Sequence, residues 1–138
     1  MRKRTGNLLC NTSYALFLAA GGARPFVCEP EDCGKSLART AATLLLSTAV
    51  VQVIKQLVPE RRPDTGQKGS FPSGHSANTI ALAAVCSAQN PDQSLGWILP
   101  AVGITVSRVA LRRHHIRDII AGSLIGLVCA GVVVRGIK

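Results

Sequence analysis

Four stretches of the chain lack Lys, Arg, Asp and Glu and are mainly apolar: Thr40–Ile54, Ser73–Ala88, Leu95–Ser107 and Ile119–Val134. Polar intervals separate them, "PERRPDTGQKGS", the turn "QNPDQS" and "RVALRRHHIRD". The first run lies within "LARTAATLLLSTAVVQVIKQLV", close to the ~20 mainly apolar residues that cross a bilayer as a helix. A helix on the surface of a water-soluble protein shows a charged stripe. The three later runs show none. The pattern predicts an all-α fold, a membrane helical bundle with about four spanning helices. The alternative is a soluble all-helical bundle, since the runs are short and rich in Ala and Gly.

The N-terminus departs from this pattern. "MRKR" precedes a moderately apolar stretch, Leu8–Ala20, interrupted by Asn11, Thr12 and Ser13 and followed by "LAAGGARP". It reads as a short interfacial or membrane helix, or as a signal peptide with a small-residue cleavage site. Arg24–Lys35 reads as a polar connector. The expected division is an N-terminal basic and apolar segment with its connector, residues 1–36, before a helical core, residues 37–138. No internal repeat stands out.

Composition narrows the partners. The 138 residues suffice for one domain and carry a net charge of +9, which suits an anion. With 4% aromatic residues, the platforms that stack single-stranded nucleic acid are scarce, so no nucleic-acid partner is expected. The five cysteines include no CxxC pair. Cys86 and Cys129 sit in apolar runs as small buried residues. Cys28 and Cys33 flank "EPED" and would pair only in an oxidising compartment; five free thiols are expected. Trp97 and Pro100 read as an interfacial anchor and a kink.

If the helices alternate in direction, Lys55, Arg62, His75, Arg108, His114 and Asp118 converge on one end of the bundle. Three fixed cations beside two histidines make an anion site. The helix starting near Ser73 adds backbone N–H donors and a positive dipole end. Gly74 permits close approach of a ligand to the backbone, and Pro72 presets the start of the helix. Arginines suit bidentate contact with a tetrahedral phosphate, and lysine supplies a point charge. His114 and Asp118, four apart, share a helix face. The carboxylate can hold one ring nitrogen as N–H and leave the other as a lone pair, the condition for a nucleophile or base. His75, from another helix, is placed to protonate a leaving oxygen.

These residues resemble the three signature motifs of the type-2 phosphatidic acid phosphatases, a superfamily that includes bacterial acid phosphatases and vanadium haloperoxidases. "KQLVPERRP" supplies Lys55, Arg62 and Pro63. The second motif is Pro72, Ser73, Gly74 and His75. "SRVALRRHHIRD" gives Ser107, Arg108, His114 and Asp118. A single motif is weak, but the ordered set is specific. The resemblance covers Leu37 to about Val134. Membrane members usually carry six spanning helices, and only one short candidate precedes Leu37. The resemblance implies a membrane phosphatase acting on a lipid phosphate monoester or polyprenyl diphosphate. Lys55, Arg62 and Arg108 would hold the phosphate, with Ser73 and the Gly74 amide assisting. His114 would form a phosphohistidine, oriented by Asp118, and His75 would act as the acid. Neither metal nor cofactor is implied. The site would face the periplasm or exterior of a bacterial inner membrane.

Simpler readings exist for each residue alone. Arg61, Lys68, Arg112, Arg113 and Arg117 read as solvated or as attracting anionic head groups. His115 reads as a flanking residue at the rim. Ser73 as a nucleophile is disfavoured, because residues two apart on a helix do not face each other. His75, His114 and Asp118 as zinc ligands are disfavoured by the adjacent cations. Two whole-chain alternatives are a soluble phosphatase of broad specificity and a non-catalytic membrane protein that binds anionic lipid. The second has no need of an oriented nucleophile.

Overall fold

Residues 2–28 and 33–137 are described in a computed structural model. The chain forms five helices, α1 (Arg2–Cys28), α2 (Cys33–Leu57), α3 (Gly74–Gln89), α4 (Ser94–Ala110) and α5 (Ile116–Gly136), with a 3₁₀ turn at Pro91–Gln93 before α4. Among the described residues the only β-type pairing is an isolated bridge between Arg61 and Lys68. Each of the four apolar runs lies in a helix, and all but α3 extend several residues past the charge-free run at one or both ends.

α3 is the axis of the bundle and packs against α1, α2, α4 and α5. Its closest neighbour is α5. A Cβ on Gly122 would collide with the carbonyl oxygen of Ser73, and one on Gly126 with that of Ala77. The two glycines, four apart on one face, let the backbones touch, as small residues do between helices in lipid. Around this seam lies a core of Leu82, Val85, Cys86, Ala101, Ile104 and Ala130, joined by Phe17 from α1.

The other helices are inverted relative to helices in water. The residues α2 buries are Ser36, Thr40, Thr43, Ser47 and Val51, while Leu45 is 72% exposed. α4 exposes Leu99, Val102 and Val106, and α5 exposes Leu124, Val128 and Val132. Small hydroxyl residues inside and branched aliphatics outside suit a bilayer, where lipid covers the aliphatics at no cost and small interior residues let helices approach closely. α2 and α5 are long and apolar enough to cross a membrane. α3, with 16 residues, and α4, with 17, fall short of ~20.

The N-terminal segment differs from expectation. Its helix is not short: α1 runs for 27 residues, into the first part of the stretch read as a connector, and it packs against α2, α3 and α4. A Cβ on Gly21 would collide with Leu82. This glycine is a point of close helix packing. Trp97 is half-buried, edge-on to Phe17 of α1 with ring centroids 5.7 Å apart. Cys10, Cys33 and Cys129 are free thiols; the side chain of Cys28 lies outside the described residues.

The helices alternate in direction. Cys10 meets Ser107 at one end, with sulfur and hydroxyl 3.0 Å apart. At the other end Arg24 donates to Gln89 at 2.9 Å, and Gln89 donates to the Ser36 carbonyl at 3.1 Å. The end of α2, the start of α3, the end of α4 and the start of α5 therefore meet on one side.

Candidate active site

That shared end contains a cavity of about 310 Å³ lined by Lys55, Arg62, Gly74, His75 and His114, together with Tyr14, Thr48, Val51, Gln52 and Asn78. Five of the eight residues singled out in the sequence thus face one space. The other three lie behind it.

Asp118 is fully buried. Its Oδ2 accepts from Ser70 Oγ at 2.5 Å and from the His115 backbone N–H at 3.0 Å, and lies 3.5 Å from His114 Nδ1. Ser70 Oγ is also 3.5 Å from that nitrogen. With Nδ1 on the carboxylate side, Nε2 is the nitrogen left for the cavity. His114 sits in the turn between α4 and α5 and is 3% exposed. Burial, then the Arg108 and Arg62 charges, push its ring down to about 4, against the opposing pull of Asp118. The ring is therefore neutral at neutral pH, with its lone pair available.

The turn itself is a helix C-cap. Arg113 N–H bonds to Arg108 O at 2.9 Å and Arg112 N–H to Val109 O at 2.8 Å, the paired bonds of a Schellman motif. Arg112 occupies the left-handed position with φ +56°, where glycine is usual. The reversal brings the His114 N–H to the Arg108 carbonyl at 3.3 Å.

Arg108 is 2% exposed and does not line the cavity. Its Nη1 donates to Cys10 Sγ at 3.2 Å and Asn11 Oδ1 at 3.3 Å, both on α1, and its Nε is buried without a hydrogen-bond partner among the described residues. Its charge reaches the cavity by proximity. Ser73 caps α3: its Oγ accepts from Ser76 N–H at 3.4 Å and Ser76 Oγ at 2.9 Å, and its own N–H bonds to Asp118 O at 2.9 Å. This places Ser73 as the anchor between α3 and α5 and leaves its hydroxyl outside the cavity wall. Pro72 precedes the cap and is not the first helical residue. At Gly74 an added Cβ would make an ordinary 3.6 Å contact with Val51, so packing does not demand glycine there.

The loop before α3 carries the remaining cations. Lys55 Nζ donates to Gly69 O at 2.5 Å; Gly69 has φ +89°, a conformation glycine adopts freely. Burial, then Arg113 and Arg108, lower the pKa of Arg62 from its ordinary value. Two of the cations read as solvated also form ion pairs with this loop. Arg113 pairs with Asp64 at 2.7 Å, and Arg117 pairs with Glu60. His115 is likewise more than a flanking residue: it caps α5 in a reciprocal box with Asp118. Sequence reasoning missed Ser70, Tyr14 and Asn78. The available signals were Ser70's place directly before the second motif and a polar Asn78 in an uncharged helix. Among the described residues no three His, Cys, Asp or Glu side chains group as a metal would need.

The chain belongs to the PAP2 superfamily, whose model matches residues 36–138. It is 29% identical over 98 residues to the lipid A 1-phosphatase of Porphyromonas gingivalis, an alignment covering 68% of this chain and 22% of that protein. The matched region is thus about a fifth of that relative's length. The fold is similar to the crystal structure of Aquifex aeolicus LpxE, with TM-score 0.73, 22% identity and coverage of 93% of this chain and 86% of that one. It is also similar to a transmembrane PAP2-type phosphatidylglycerolphosphate phosphatase from Bacillus subtilis, with TM-score 0.69, 22% identity and coverage of 96% and 78%.

Proposed function

We propose that the protein is an integral membrane phosphatase that hydrolyses a lipid phosphate monoester or prenyl diphosphate through a phosphohistidine. The observation that carries this reading is one cavity lined by His75, His114, Lys55 and Arg62, with the Asp118 carboxylate behind His114. Lys55 and Arg62 bind the phosphate oxygens, aided by the amides that open α3, and the Arg108 charge stabilises the anion from behind. His114 Nε2 attacks phosphorus. The N–P bond forms as the P–O bond to the leaving group breaks, and His75, protonated, gives its proton to the departing oxygen. A water then attacks phosphorus, returns a proton to His75 and releases phosphate as the N–P electrons go back to Nε2. Asp118 keeps the proton on Nδ1 throughout and balances the positive charge that develops on the ring.

The bundle sits in a bacterial inner membrane, with α2 and α5 long enough to span it and the catalytic end towards the periplasm or exterior. The aliphatic sleeve on α2, α4 and α5 supports the membrane placement. Lipid A is the first substrate to try, because a relative is named for it. The test is phosphate release in detergent from lipid A, phosphatidate, phosphatidylglycerol phosphate and undecaprenyl diphosphate. Release from at least one, inhibited by vanadate and insensitive to chelator, is expected. Release from none, or activity lost to chelator and restored by zinc, overturns the proposal.

A further inference from the structure

The segment matched by the family starts at residue 36, yet α1 touches the cavity's chemistry twice. Cys10 and Asn11 hold Arg108. One turn further along, the Tyr14 ring lies against the His75 imidazole, with centroids 4.1 Å apart and planes 35° from parallel. The tyrosine is itself fixed. Its hydroxyl accepts from Asn78 Nδ2 at 3.2 Å. Asn78 is in turn held by α2: its Oδ1 accepts from Ser47 Oγ at 2.9 Å, and its Nδ2 donates to Thr48 Oγ1 at 3.1 Å. Three helices thus converge on one amide, and the amide sets where the phenol ring stands.

We infer that Tyr14 is a positioning residue for His75: its ring, held by Asn78, fixes the plane of the imidazole that protonates the leaving oxygen. This rests on the reading of His75 as the acid. A ring free to turn about its χ2 bond spends little time with its N–H aimed at the departing oxygen. A packed aromatic neighbour at 4.1 Å removes that freedom. The contribution is to the proton transfers of His75, and only the one to the leaving oxygen depends on the leaving group, which separates it from a general effect on folding.

The test compares two substrates in one preparation of the full chain in detergent. Dioctanoyl phosphatidate expels an alkoxide and needs a proton. p-Nitrophenyl phosphate expels a weakly basic phenolate and scarcely does. The ratio of the two turnover rates is independent of the fraction folded. For His75→Gln this ratio is expected to fall by about a hundredfold, the scale of a general acid. Tyr14→Leu is expected to lower it by roughly tenfold, and Tyr14→Phe, which keeps the ring, by less than about threefold. An unchanged ratio in Tyr14→Leu beside a collapsed ratio in His75→Gln overturns the positioning role while leaving the acid in place. A ratio in Tyr14→Phe as low as in Tyr14→Leu overturns the stack as its basis. An unchanged ratio in His75→Gln overturns the acid assignment and this inference with it.

Discussion

The two ends of α3 are built differently. Around its N-terminus Ser70, Ser73 and Asp118 have no exposure, and Arg108 and His114 only 2% and 3%. Around its C-terminus Asn90 closes the helix with a backbone bond to Cys86 O at 3.0 Å, and the Pro91–Gln93 turn is exposed. Burying polar and charged groups is expensive unless each finds partners. The chain meets that cost at both ends, since Arg24 beside Gln89 is only 4% exposed, but only the first end joins a buried cation to a buried histidine and carboxylate. The lesson is that this buried combination marks the chemistry more sharply than the count of charges does, since Arg113 and Arg117 form ion pairs with the loop before α3.

The largest effect should come from the catalytic end. His114→Ala is expected to lower turnover by at least ~10³-fold, as loss of a nucleophile does, while vanadate binding measured by calorimetry persists at reduced affinity. Full activity in this variant would remove the nucleophile assignment. Gly126→Ala attacks the seam that both ends share. Its methyl group meets the Ala77 backbone oxygen, which cannot move aside as a side chain can. A loss of about 1–3 kcal/mol is expected in denaturation in detergent, with reduced activity; a stability unchanged by this substitution would contradict the close α3–α5 contact.

Proton linkage sharpens the contrast next. The His114 pKa is about 4 in the fold against ~6.5 unfolded, so between those values the unfolded chain binds more protons. The stability this ring contributes is full above pH 6.5 and is lost as pH falls towards 4. The melting temperature should therefore drop across that window more steeply in the wild type than in His114→Asn, as read from paired thermal scans. Equal slopes would mean the ring is not held neutral. The smallest effect belongs to the opposite end. Gln89→Ala removes the bonds to Arg24 and Ser36 and should cost about 1–2 kcal/mol, with activity per folded molecule unchanged. A large loss of turnover there would show that the two ends are not independent.

Much of this arrangement was legible in the chain. Charge-free runs named four helices, because a helix that meets lipid or its neighbours on every side has nowhere to put a fixed charge. Helix alternation then gathered Lys55, Arg62, His75 and His114. Asp118 does stand behind His114, but not on a shared helix face as the i, i+4 spacing implied: His114 lies in the turn before His115, the N-cap of α5. What stayed hidden was local competition for a side chain. Ser73 looked like a phosphate ligand, but its hydroxyl caps α3. Arg108 looked like a cavity wall, but it points to Cys10 and Asn11. Neither choice leaves a mark in the spacing, because the competing partner is distant in the sequence.

α1 illustrates the division most clearly. Residue types and periodicity determined that helices form, which faces lack charge and which motif residues share an end, since these depend on interactions within a few residues or on chain direction alone. Only the tertiary structure decided that Gly21 seats Leu82, that Tyr14 lies on His75 and that Ser70 bonds to Asp118. Those contacts join residues 48 or more positions apart, and their energies exist only once the helices have docked.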